Sequence, residues 1–173
     1  MTGGKIRFAY TIKIATPVDV AAINSVLDAS FSSLLTSIYD DVSLAQILPK
    51  ITQVNPDLLS SGTYYIALNK NEEIVGCGGW THQRPGTTDR TDGQAHIRHF
   101  ATHPEYVGYG VARALYNHCV TEAKNENVSE FECYSTLNAE FFYKALGFKS
   151  IKLFDLNMGG DLTFPSILMQ ADI

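Results

Sequence analysis

The segment at residues 107–112, Val-Gly-Tyr-Gly-Val-Ala, constrains the fold of this chain more than any other. An extended apolar stretch ends near Thr102, and a helical pattern covers residues 109–124. Glycine accepts left-handed backbone angles, and its missing Cβ lets a ligand approach the main chain closely. The first turn of a helix presents free N–H groups at the positive end of the helix dipole. A strand, a glycine turn and a helix in this order predict a cradle for the phosphates of a ligand.

Other kinds of glycine turn fit the segment less well. The structural alternative is a tight connection between strand and helix that binds nothing. A Walker loop ends in Gly-Lys-Ser/Thr, and the segment has no such ending. A Rossmann turn needs a small residue at the position of Arg113. A Rossmann-type nucleotide-binding domain is therefore the weaker alternative, and tight binding of NAD without binding of CoA would be needed to support it.

The spacing of apolar residues predicts seven strands and four helices. Thr16 and Asp19 have the spacing of a capping box, and they precede a helix that runs through Phe31. This order of elements predicts an α/β domain built around a mixed sheet. The strands are predicted over residues 8–14, 63–68, 74–80, 94–102, 128–134, 148–156 and 162–169, and the other helices over 43–52, 109–124 and 139–146.

Composition excludes several classes of protein. The chain has 173 residues, of which 45% are hydrophobic, so we expect one globular domain over residues 1–173. The formal charge of −5 argues against binding to nucleic acid or to an anionic membrane. No apolar run approaches the ~18 residues of a membrane-spanning helix. The first ten residues have no hydrophobic leader, so we expect a cytoplasmic protein.

The three cysteines, Cys77, Cys119 and Cys133, are far apart in the sequence. Their odd number and wide spacing argue against a disulfide framework and against a zinc site. We expect all three to be buried, and we expect no bound metal.

Two segments resemble the motifs of the GNAT superfamily of N-acyltransferases. Residues 100–112 resemble its acyl-CoA turn, in which a strand and an x-Pro step precede Arg/Gln-x-x-Gly-x-Gly/Ala. Gly110 and Ala112 match the end of that pattern, while Val107 replaces the usual Arg or Gln. Residues 138–148 resemble the second motif, in which an asparagine precedes a tyrosine and then Gly-Phe. The resemblance implies a three-layer fold, with helices on both faces of a mixed central sheet.

The resemblance implies transfer of an acetyl group from acetyl-CoA to a primary amine, by direct attack in a ternary complex. The alternative is an acyl-CoA-binding regulatory domain with little catalytic activity, which Val107 and the absence of the family's glutamate on residues 94–102 suggest. The acceptor is a small-molecule or peptide amine, and an edge-strand homodimer is compatible with such a sheet. The positions that match the family's acetyl-CoA site are Phe100, Ala101, Thr102, Val107, Gly108, Tyr109, Gly110, Val111, Ala112, Asn138 and Tyr143.

Candidate catalytic groups follow from the same resemblance. Tyr143 matches the tyrosine near the CoA sulfur, and a phenol is protonated at neutral pH and can donate. His96 stands where many members carry a glutamate, so it ranks ahead of His99 as the general base. The alternative is a hydrogen-bonded core histidine, or proton loss through a water chain. Strict strand alternation predicts that His96 and Phe100 share one face, while His99 lies on the other with Ile97 and Ala101. The residues expected to line the acceptor pocket are Tyr39, Trp80, His82 and Tyr134.

Overall fold

Seven strands form one sheet in the order β1-β2-β3-β4-β5-β7-β6 in the computed structural model, which describes residues 8–173. All neighbouring strands are antiparallel except β4 and β5. One-turn 3₁₀ helices precede α1, α4 and α5. The elements are β1 Thr11–Ile14, α1 Val20–Leu34, α2 Asp41–Ile51, α3 Pro56–Leu59, β2 Tyr64–Leu68, β3 Ile74–Thr81, β4 Gln94–Thr102, α4 Val111–Asn125, β5 Glu130–Thr136, α5 Glu140–Ala145, β6 Lys149–Asn157 and β7 Thr163–Asp172.

Helices cover both faces of this sheet, which confirms the predicted three-layer α/β fold. On one face α4 and α5 pack their apolar residues, including Leu115 and Tyr143, against Phe131 of β5. On the other face α1 packs Ile23 and Leu27 against β2 and β3. A third cluster joins α2 to β7. The central strands therefore have apolar residues on both sides, as a sheet between two helical layers requires.

Most elements predicted from the sequence lie within two or three residues of their observed bounds. The prediction for β4 over residues 94–102 is confirmed, and β1 begins three residues later than predicted. The four-residue helix α3 was not predicted, because it is too short to show helical periodicity. The Thr16 backbone N–H donates to Asp19 Oδ2 at 2.8 Å, as the capping-box spacing predicts. Residues 1–7 of the predicted domain lie outside the described residues.

A β-bulge in β4 shifts the faces of this strand. Cys77 pairs with Ala101 and Gly79 with Arg98, so one extra residue of β4 lies opposite Gly78. His99, at the bulge, has a left-handed φ of 51°. Ile97 consequently packs in the core under α4, and Ala101 packs in the core under α1. The predicted shared face of Ile97 and Ala101 is wrong, because strict alternation does not continue through a bulge.

The parallel pairing of β4 with β5 is short. It comprises Gln94 with Glu130, Ala95 with Phe131 and His96 with Glu132. Beyond His96 the two strands separate, while β4 continues to Thr102 and β5 to Thr136. This separation opens the central sheet where the bulge lies.

We predict that Gly79→Ala destabilises the fold by about 1–3 kcal/mol, the usual cost of overpacking. A Cβ at residue 79 would lie 2.2 Å from the Thr63 carbonyl oxygen and 2.6 Å from Tyr64 Cα, and backbone cannot move aside as a flexible side chain can. Urea unfolding of the purified variant measures the effect. Thr88→Ala, on an exposed loop, is the control. A change of less than about 0.5 kcal/mol in Gly79→Ala, the usual range for surface substitutions, would contradict the prediction.

Candidate active site

The glycine turn before α4 has the geometry of an anion cradle. Gly108 and Gly110 have φ of 84° and 87°, angles that residues with a Cβ rarely adopt. A Cβ at either position would meet no atom within 4 Å, so glycine is needed there for conformation and not for space. Gly110 caps α4, and its carbonyl oxygen accepts from Ala114 N–H at 3.0 Å. The preceding N–H groups, of residues 111–113, have no acceptor within the helix and are available to a ligand.

A cavity of about 470 Å³ lies beside this turn and forms a candidate donor site. All of the predicted acetyl-CoA positions line it except Tyr109. The Tyr109 ring packs edge-to-face against Phe8 at 5.3 Å, and its carbonyl oxygen accepts from Tyr10 Oη. The predicted positions that line the donor site are Phe100, Ala101, Thr102, Val107, Gly108, Gly110, Val111, Ala112, Asn138 and Tyr143.

Helix α1 forms a wall of the donor site that the sequence did not predict. The cavity is lined by Phe31 and Leu34 of this helix and by Leu35, which directly follows it. Arg113 of α4 also lines the cavity. The helical spacing of α1 was visible in the sequence. Its position across the end of β4 depends on tertiary packing, so no local pattern identified these residues.

A second cavity, of about 250 Å³, occupies the opening between β4 and β5 and forms a candidate acceptor site. Arg98 and His99 line it from β4, and Cys133 and Tyr134 line it from β5. The donor and acceptor sites adjoin, because five residues line both. These shared residues are Phe31, Phe100, Thr136, Ala139 and Tyr143.

Tyr143 lies where the two cavities meet. Its side chain packs edge-to-face against Phe142 at 5.1 Å and Phe148 at 5.3 Å. Burial raises the pKa of the phenol well above its ordinary value, and the nearby thiols of Cys133 and Cys119 act in the same direction. The phenol therefore stays protonated over the physiological range and can donate its proton at the junction of the two sites.

His99 is held in a defined tautomer beside the acceptor site. Its Nε2 lies 2.7 Å from the Ile51 carbonyl oxygen, and its ring stacks on Phe31 at 5.9 Å. Because a carbonyl oxygen only accepts, Nε2 carries the hydrogen, and the neutral ring keeps its lone pair on Nδ1. Burial lowers the pKa of His99, and the Arg98 charge lowers it further against the opposing effect of the Ile51 hydrogen bond. The imidazole is therefore neutral at pH 7.

His96, the histidine ranked first from the sequence, lies elsewhere. Its side chain is buried with 2% of its surface exposed, and it lines neither the donor nor the acceptor site. Nδ1 lies 3.6 Å from Glu132 Oε1, too far for a hydrogen bond. Burial lowers the pKa of His96, although Glu132 opposes this effect. His99, and not His96, therefore lines the same cavity as Tyr143.

The four residues predicted for the acceptor pocket separate in space. Only Tyr134 lines the acceptor site, where its ring stacks on Phe154 at 4.8 Å. Tyr39 lies in the core, where its hydroxyl donates to the Pro165 carbonyl oxygen at 2.8 Å and accepts from a backbone N–H at 3.0 Å. Trp80 and His82 line a polar cavity of about 960 Å³ that adjoins the acceptor site, because Asn55, Leu58 and Arg98 line both.

The cysteines are buried, as predicted. Cys133 lines the acceptor site, but burial raises the pKa of its thiol, so the reactive thiolate is suppressed. Among residues 8–173, no group of three His, Cys, Asp or Glu side chains is arranged to hold a metal ion. No helix in the same range is both long and apolar enough to cross a bilayer.

The glycine-capped helix after β4 lies where the resemblance to the GNAT superfamily placed the acyl-CoA turn. The family model described as "Acetyltransferase (GNAT) domain" matches residues 39–156. The chain therefore belongs to the GNAT acetyltransferase family, as the two motifs indicated.

Solved structures with the same fold have diverged widely in sequence. A GCN5-related N-acetyltransferase from Rhodopseudomonas palustris has a TM-score of 0.75 at 17% identity, over 99% of this chain and 100% of that one. PaiA N-acetyltransferase from Thermoplasma acidophilum, in complex with coenzyme A, has a TM-score of 0.70 at 14% identity, over 95% and 99% of the two chains. The ribosomal-protein-S18-alanine N-acetyltransferase from Escherichia coli has a TM-score of 0.61 at 14% identity, over 95% and 94%. No curated protein sequence matches this chain.

We predict that Gly110→Ala weakens acetyl-CoA binding at least tenfold, because alanine resists the left-handed angle that aims the free N–H groups of α4. Isothermal titration calorimetry measures the dissociation constant. Gly86→Ala is a matched control, since Gly86 also has a left-handed φ, of 74°, and open space around it, but lies outside the donor site. Equal affinities in the two variants would contradict a role for the turn in binding.

Proposed function

We propose that this protein transfers an acetyl group from acetyl-CoA to a primary amine by direct attack in a ternary complex. The observation that carries the proposal is the meeting of the donor and acceptor sites at Tyr143, with His99 on the acceptor side. Two adjoining sites allow both substrates to be held in reacting geometry at once, which can supply much of the reduction in the barrier. Membership of the GNAT family supports acetyl-CoA as the donor.

Features of this chain support binding of the donor. The N–H groups at the start of α4 would bind the pyrophosphate. Within residues 8–173, β5 pairs with β4 only through His96, so the main chain of residues 100–102 has no strand partner on that side and can bond the amides of the pantetheine arm. Arg113 lines the donor site and supplies a cationic side chain where Val107 supplies none.

In the proposed mechanism, two residues each carry out one proton transfer. His99 Nδ1 accepts a proton from the amine as the amine nitrogen attacks the thioester carbonyl. The carbon–nitrogen bond forms and the carbon–sulfur bond breaks, and Tyr143 donates its proton to the departing sulfur. The free N–H groups of the opened β4 edge would stabilise the negative charge that develops on the carbonyl oxygen. His99 is preferred to His96 because only His99 lines the acceptor site.

The alternative is an acyl-CoA-binding regulatory domain with little catalytic activity. Val107 favours it, since an exposed valine stands where the family commonly has an Arg or Gln that contacts the pyrophosphate. Release of CoA thiol in the presence of amines distinguishes the enzyme from the binding domain. Stabilisation by acetyl-CoA without thiol release would support the regulatory function.

We predict that Tyr143→Phe lowers turnover at least tenfold and leaves acetyl-CoA affinity within about threefold, because only the donated proton is lost. Thiol release across an amine panel measures turnover, and calorimetry measures affinity. Tyr116→Phe is the matched control, since Tyr116 packs on Phe148 at 5.8 Å but lines neither site. Loss of acetyl-CoA binding in Tyr143→Phe would make Tyr143 a structural residue and overturn its role as the acid.

We predict that His99→Gln lowers kcat/KM by about 10²–10⁴, the usual contribution of a general base, and removes the acid limb of the pH profile when rates are expressed per concentration of neutral amine. Glutamine can still donate to the Ile51 carbonyl oxygen but cannot take the proton. Because burial lowers the pKa of His99 below its ordinary 6.5, the limb in the unmodified protein lies below pH 6.5, where the base becomes protonated. His96→Gln keeps the limb if His99 is the base. Loss of the limb in His96→Gln alone would assign the base to His96.

A further inference from the structure

We propose that the amine acceptor is a free amino acid with an apolar side chain, whose carboxylate binds Arg98. This inference rests on the proposed function and names the substrate class of the acceptor site. The charge, size and surface chemistry of the cavity between β4 and β5 favour such a molecule.

Arg98 is a half-buried cation without a carboxylate partner. It lines the acceptor site directly beside His99, and its Nη1 donates to Thr81 Oγ1 at 2.9 Å. No Asp or Glu oxygen within residues 8–173 lies within 4.0 Å of its guanidinium. Residues 1–7, Met-Thr-Gly-Gly-Lys-Ile-Arg, contain no Asp or Glu. Arg98 also lines the adjoining polar cavity, but Asp57 and Glu126 of that cavity lie more than 4.0 Å from the guanidinium, so neither forms an ion pair with it.

The walls of the acceptor site contain no compensating charge. Its lining includes no Asp or Glu, and Tyr143, His99 and Cys133 are all neutral at pH 7. An unpaired charge withdrawn from water is costly, so an anion is the ligand group that gains most at this position. A guanidinium has five N–H donors in a planar fork that fits a carboxylate. One bond to Thr81 leaves enough donors for a bidentate pair.

The β-bulge brings the base and the cation to one cavity. Arg98 and His99 are consecutive residues, and in a regular strand they would face opposite sides of the sheet. The left-handed φ of His99 breaks that alternation, so both side chains line the acceptor site. An acceptor that brings its amine to His99 and an anion to Arg98 therefore carries both groups in one molecule that fits this cavity, as an amino acid does.

The remaining walls favour a small acceptor with an apolar side chain. The cavity of about 250 Å³ is smaller than the ~300–1,000 Å³ of sites for drug-sized ligands. A polyamine would bring only positive charge to Arg98, and the N-terminus of a peptide has an amide in place of the carboxylate. The apolar walls are formed by Phe31, Ile97, Phe100, Leu156, Met158 and Phe164.

The test is thiol release with three acceptors that differ only at the carboxylate, namely L-phenylalanine, L-phenylalaninamide and 2-phenylethylamine. L-Leucine and isopentylamine form a second matched pair. Rates are compared per concentration of neutral amine, because the three amines differ in basicity. We expect kcat/KM for the amino acids to exceed that for the matched amines at least tenfold. Equal values, or a preference for the amide that mimics a peptide, would overturn the inference without affecting the proposed function.

Two variants test the assignment to Arg98. In Arg98→Gln the KM for the preferred amino acid rises at least tenfold while the KM for its matched amine changes less than threefold, so the preference disappears. Arg90→Gln, on an exposed loop outside the acceptor site, keeps the preference. A preference that survives in a folded Arg98→Gln variant would overturn the assignment. If that variant does not fold, the acceptor comparison in the unmodified protein decides.

Binding separates failure of this inference from failure of the proposed function. Calorimetry titrates L-phenylalanine, L-leucine and their matched amines into the unmodified protein saturated with CoA. Binding of either amino acid but not of its matched amine supports the inference even where no acceptor gives thiol release. Absence of binding and of turnover with both amino acids overturns it. Turnover with other amines would then leave the acetyltransferase activity standing.

Discussion

The early end of the β4–β5 pairing is the constraint on which the site depends. Only three residue pairs join these strands before they separate. Main-chain groups at the opened edge lose their sheet partners, which is costly unless other groups satisfy them. The same opening provides the space for a donor site against α4 and an acceptor site under β5. The sheet is therefore interrupted where the two candidate sites adjoin.

Burial then sets the protonation of the groups that face this opening. The same loss of water raises the pKa of the Tyr143 phenol and the Cys133 thiol and lowers that of the His99 imidazole. All three groups are therefore neutral at pH 7, one as a proton donor, one as an inert thiol and one as a proton acceptor. Arg98 is left as the charged side chain of the acceptor lining, so a single residue dominates the electrostatics of that cavity.

The sequence predicted the parts of this arrangement that depend on local chemistry. Residues 94–102 and the glycine turn were predicted because strand periodicity and glycine conformation are encoded by near neighbours. The bulge at His99 was not, since it arises from the register of β4 against Gly78 on another strand. Tyr39 was expected in the acceptor pocket but lies in the core, because its partner at Pro165 is 126 residues away. Long-range register and packing thus account for the differences at the site.

Burial of the Cys133 thiol affects whether this cysteine can form a mixed disulfide with CoA. Acetyl transfer would release a free CoA thiol within reach of the acceptor cavity, and such thiols oxidise to disulfides. Thiol–disulfide exchange requires a thiolate, and burial keeps Cys133 in the thiol form. The cysteine that lines the site is therefore shielded from covalent capture as a mixed disulfide. The burial that keeps the His99 imidazole neutral thus also keeps the Cys133 thiol unreactive in thiol–disulfide exchange.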